Sequence, residues 1–154
     1  MKKFLLSIAT LIVFAAVPMS AQLTGPTLID RVRDDLSQQR TFKVESARNS
    51  VLLRDAATGA ELLTVSEVDG QTVTLSGVVA RLDNLSPERR AAVIRQIEYF
   101  NFSSGVGTLG YDNATGVVTM QHHLNPRYVS PSSIAYVASR FGDVAKTEAT
   151  RLAQ

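Results

Sequence analysis

Across residues 41–79, apolar side chains fall on every second position. Phe42 and Val44 alternate with Lys43 and Glu45. Val51 and Leu53 alternate with Leu52 and Arg54, and Leu63 and Val65 with Thr64 and Ser66. Val73, Leu75 and Val79 alternate with Thr72, Thr74 and Ser76. A period of two is the strand period, because successive side chains leave opposite faces of a pleated backbone. Such a stretch is written for strands with one dry face and one wet face. Ala57-Thr58-Gly59 and Asp69-Gly70 supply turns between the runs. The expectation is therefore an antiparallel meander.

The period lengthens on both sides of the meander. Residues 26–39 read as a short helix, with Leu28, Ile29, Val32 and Leu36 as a narrow apolar stripe. A second helix starts at Ser86-Pro87, an N-cap followed by the position where proline is favoured. Glu88 suits the helix dipole in its first turn. Val93, Ile94, Ile97 and Phe100 form its stripe, and Asn101, Ser103, Ser104 and Gly105 end it. Residues 106–112 and 117–124 are two β-prone runs joined by Asn113-Ala114-Thr115-Gly116, which predicts a hairpin. Ser130-Pro131 repeats the capping signal. Ile134, Val137, Phe141, Val144, Ala145 and Leu152 then mark a long amphipathic helix to the C-terminus, in which Gly142 costs up to about 1 kcal/mol relative to alanine and is the one point where a bend or break can occur. The order is helix, three or four strands, helix, two strands, helix. It predicts an α+β fold, an antiparallel sheet with helices packed on one face.

The first 21 residues read as a secretory signal peptide rather than as part of the fold. Lys2 and Lys3 precede the mainly apolar residues 4–17, and Ser20-Ala21 offers a small-residue cleavage point. The run of about 14 residues is short of the roughly 20 that a spanning helix needs, so no permanent membrane anchor is expected. Residues 22–154 are then a single domain of ordinary length. Removing Lys2 and Lys3 from 16 basic residues leaves 14 against 14 acidic ones. A neutral chain with scattered arginines is not an electrostatic nucleic-acid binder. There is no cysteine, hence no disulfide and no lipid-modified cysteine. The expected location is outside the cytoplasm of a bacterial cell, periplasmic or extracellular.

Element order, the Ser-Pro-capped helices and the hairpin GTLGYDNATGVVTMQHHL resemble the type III secretion chaperone-like fold. The likeness is in particular to the YbjN-type bacterial sensory transduction regulators, over residues 27–152. Residues 41–55 offer one strand more than the three usual there. The resemblance implies a small non-enzymatic module that binds a polypeptide, often as a homodimer. It assigns no catalytic residue.

The residues themselves carry little chemistry. Gly105-Val106-Gly107-Thr108-Leu109-Gly110 matches G-x-G-x-x-G, but a dinucleotide site needs a strand before the motif and a helix after it. Here the order is reversed, and the glycines read as the start of a twisted hairpin. His122 and His123 are the only histidines, and adjacent strand residues point to opposite faces. A zinc site needs three or four converging ligands, so no metal is expected. No G-x-S-x-G elbow is present, and Asp34-Asp35 reads as solvated charge. Neither catalytic residues nor a cofactor are expected. Asn84, Asn101 and Asn113 each open an N-x-S/T sequence, which matters only in a cell with that glycosylation machinery.

Tyr99, Phe100 and Phe102 cluster at the end of the second helix. Phe100 belongs to the core stripe. Tyr99 and Phe102 are the candidate anchors for a polypeptide partner or for a second copy. The expected function is an exported binding module that receives its partner there or on an exposed sheet edge. The alternative is an envelope carrier of a small apolar ligand held between sheet and helices.

Overall fold

The computed structural model describes residues 25–47, 49–83 and 85–153. The expected signal peptide lies outside them. The order is α1 (Leu28–Ser37), β1 (Phe42–Ala47), β2 (Ser50–Asp55), β3 (Glu61–Val68), β4 (Thr72–Arg81), α2 (Pro87–Ser103), β5 (Thr108–Asp112), β6 (Val117–Leu124) and α3 (Pro131–Ala153). The six strands form a single antiparallel sheet in the order β1-β2-β3-β4-β6-β5. The α+β architecture expected from the period changes is what the chain adopts.

The alternation in the meander translates directly into burial. Phe42, Val51, Leu53, Leu63, Val65, Val73 and Leu75 all lie in the core, joined by Leu109, Val118 and Met120 of the hairpin. Lys43, Glu45, Thr74, Gln121 and His123 share the wetter face. Ile29, Val32 and Leu36 of α1 close the core, with Val93, Ile97 and Phe100 of α2 and most of one side of α3.

Helix α1 begins two residues later than the expected range of 26–39, at the first residue of its apolar stripe, and Pro26 is outside it. Thr27 is the cap. Its hydroxyl accepts from Asp30 N, while the Asp30 carboxylate accepts from Thr27 N (3.0 Å) and Oγ1 (2.8 Å). This reciprocal box satisfies backbone donors that the helix leaves open. Ser86 caps α2 as expected, its hydroxyl accepting from Arg89 N at 3.2 Å. The run at 106–112 is trimmed to Thr108–Asp112. Gly107, at φ 141°, lies where a Cβ would come 2.8 Å from Gln121 O.

Helix α3 is the long C-terminal helix that the apolar spacing predicts. It runs unbroken through Gly142. A Cβ there would lie 3.3 Å from Phe42 Cε1, so the missing side chain seats the helix on the sheet. The buried stripe is accordingly Ile134, Ala135, Ala138, Phe141, Gly142, Ala145 and Leu152, while Val137 and Val144 are only half-buried. Small residues face inward because they let the helix axis approach closely.

Two bulges shape the middle of the sheet. Leu62 is the extra residue of β3 opposite β2, and Val79 the extra residue of β4 opposite β6. The β3–β4 register runs from Val68↔Thr72 only as far as Thr64↔Ser76. Beyond it, Gly77 meets the Leu62 carbonyl so closely that a Cβ would lie 2.2 Å from its oxygen. A cavity of about 580 Å³ opens here under α3, lined in part by Leu62, Val78, Val79, Ala145 and Lys146.

Candidate aromatic docking site at the end of helix α2

Helix α2 lies at the β5 edge of the sheet, and its last turn is tied to that edge. Asn101 Nδ2 donates to Leu109 O at 2.9 Å, and Asn101 Oδ1 accepts from Leu109 N at 2.7 Å. The sequence pattern marks Asn101 as a helix breaker. In the structure it is instead a helical residue that pairs with an edge strand as a neighbouring strand would. Nothing in the local sequence signals this, because the partner is eight residues away in a different element.

That clamp fixes the last turn of α2 and therefore the direction of its aromatics. Phe100 points inward and is 6 % exposed. Phe102 points away from the protein and is 92 % exposed, while Tyr99 is 62 % exposed. The Arg151 guanidinium of α3 sits 5.8 Å from the centre of the Tyr99 ring, within cation–π range. Arg89 Nη2 also reaches Leu152 O at 2.9 Å, closing α2 against the end of α3. Tyr99 is thus braced, whereas Phe102 projects from a rigid turn.

The other sequence candidates are dispersed. His122 is half-buried beside Gly105, Val106, Tyr136, Val137 and Arg140. Burial lowers its pKa, with a smaller contribution from His123. His123 is on the opposite face, its Nδ1 3.1 Å from Thr74 Oγ1. Among the described residues no group of three or more His, Cys, Asp or Glu side chains converges on a metal position. Gly105–Gly110 follows a helix and enters a strand, as the sequence order requires. Asp34 pairs with Arg33 at 2.9 Å on the surface. No helix among the described residues is long and apolar enough to cross a membrane.

One charged pair was not foreseen. Asp55, at the end of β2, is nearly buried and accepts from Lys146 Nζ of α3, from Ala57 N (2.9 Å) and from Thr58 N (2.8 Å). Lys146 holds its carboxyl well below the usual aspartate range, helped by Thr58. The aspartate shapes the 57–59 turn and ties α3 to the rim of the 580 Å³ cavity. It is a fold-holding arrangement.

No protein-family model matches the chain, and no curated relative matches it in sequence. Among solved structures it is similar to a chain of the heterodimeric ExoU–SpcU complex from the type III secretion system of Pseudomonas aeruginosa. That likeness has 12 % identity and a TM-score of 0.46, over 75 % of this chain and 85 % of that one.

Proposed function

We propose that the protein is a non-enzymatic, exported polypeptide-binding module, similar to the YbjN-type and secretion-chaperone-like proteins that its element order resembles. The observation that carries the reading is Phe102, a large apolar side chain left almost fully exposed on a turn held by Asn101. A protein that buries Phe42, Phe100 and Phe141 gains nothing in stability from exposing this one. Aromatic side chains on rigid supports are the usual anchors of protein interfaces. Tyr99 and Arg151 flank it and supply a polar rim. The signal-like pattern of residues 1–21 supports a partner met outside the cytoplasm.

The test is capture from envelope extract with the tagged chain, read by mass spectrometry. A polypeptide held at near-equal stoichiometry, and lost with Phe102→Ala, supports the reading. Capture that survives the substitution removes the aromatic site. Cell fractionation tests export directly.

A second reading rests on the cavity under α3. Its volume of about 580 Å³ lies in the range of small-molecule sites, and Leu62, Val78 and Val79 give it apolar walls. Under this reading the protein is an envelope carrier of a small apolar ligand. A native mass spectrum of the purified chain showing a bound small molecule would favour it.

A further inference from the structure

The two edges of the sheet are treated differently. At the β5 edge, Asn101 satisfies the outward N–H and C=O of Leu109. At the β1 edge no such cover exists among the described residues. Hydrogen-bond parity shows which β1 groups face out. Thr41 O accepts from Ala56 N at 3.4 Å, so the odd positions of β1 face β2. Asp55 N donates to Ala60 O and Glu67 N to Asn49 O, so the even positions of β2 are those facing β1. The register agrees, pairing Lys43 with Arg54 and Glu45 with Leu52. Backbone groups of Phe42, Val44 and Ser46 are therefore the outward row. An open row of this kind is a template for another strand.

The side chains along that edge select a particular strand. Lys43 has no ion-pair partner among the described residues and stands opposite Arg54, a like charge. Glu45 is held by Arg54 through Oε1 only, at 3.1 Å. We infer that β1 pairs antiparallel with β1 of a second copy about a two-fold axis through Val44, joining the two sheets into one. In that register Val44 faces Val44, and Phe42 faces Ser46 twice. Each of these pairs exchanges two backbone hydrogen bonds. Lys43 then lies opposite Glu45 on both sides of the axis, in the closely spaced non-hydrogen-bonded positions. Sliding the copies by two residues in either direction faces Lys43 with Lys43 or Glu45 with Glu45, so the charges select the register. Val44, half-buried at the margin of the core, continues the apolar surface across the axis. The contact is self-complementary, as a two-fold interface must be.

This interface lies at the far edge of the sheet from Phe102, so its failure and that of the proposed partner site are separable. The experiment is sedimentation equilibrium of the purified chain and three kinds of variant. The parent is expected to be a dimer. Val44→Pro removes an outward N–H that β2 does not use, so a folded monomer with unchanged circular dichroism is expected. Lys43→Glu or Glu45→Lys alone should weaken the dimer about tenfold or more, and the double reversal K43E/E45K should restore it. If Val44→Pro unfolds the chain, the charge series decides. A parent that stays monomeric at hundreds of micromolar, or a dimer indifferent to all these variants, overturns the inference. So does a monomer whose β1 edge accepts only an added foreign peptide.

Discussion

At the scale of single residues, two polar side chains do work that apolar periodicity cannot reveal. Asn101 holds Leu109 through both backbone groups. Replacing it with alanine leaves a part-buried backbone pair unsatisfied and should cost about 1–3 kcal/mol in urea denaturation. The same substitution opens the β5 edge, so a greater tendency to aggregate is expected by light scattering. Asp55 makes a pH-dependent contribution. Its folded pKa is lowered from the ordinary 3.8, so the stabilisation is present above that value and is lost as pH falls below it. Asp55→Asn should therefore lower the melting temperature at neutral pH and flatten its fall in acid. Asp30 and Asp112 are shifted in the same direction by Thr27 and Thr115, so part of the slope should remain.

At the scale of elements, the alternating runs and the Ser86-Pro87 signal were legible because strand period and N-cap chemistry are local. Start and end points were less so. The capping box at Thr27 and the tucked Gly107 shifted two boundaries for reasons of local geometry. At Gly142 in α3, glycine's cost within a helix is local and legible in the sequence, while its benefit depends on Phe42, a hundred residues earlier. Gly142→Val should therefore destabilise by about 1–3 kcal/mol through overpacking against Phe42 and Leu63, despite valine's higher helix propensity. Phe141→Ala, next to it and fully buried, should cost about 3–5 kcal/mol. Thermal or urea unfolding measures both.

At the scale of the whole molecule, the two proposed contact regions occupy opposite edges of one sheet. Phe102→Ala should change stability by less than about 0.5 kcal/mol, because the side chain is 92 % exposed, while abolishing partner capture. A chain that unfolds more easily without this phenylalanine would show that it packs rather than binds. Tyr99 and Phe102 could be singled out from sequence because the α2 stripe reserves Phe100 for the core and leaves its neighbours outside. The sequence alone determined the two periods, the order of elements and the near-neutral charge of residues 22–154, since each depends on neighbouring residues or on a sum. Tertiary structure decided what is made by distant pairs. Asn101 seals one edge, Gly142 seats α3, Asp55 meets Lys146, and β1 is left with its backbone and its Lys43–Glu45 pattern facing outward. The two sheet edges follow from the spatial strand order β1-β2-β3-β4-β6-β5, which puts β6 beside β4 and leaves β1 and β5 at the margins. No local propensity encodes which strands end a sheet, because that is set by the packing of the whole chain.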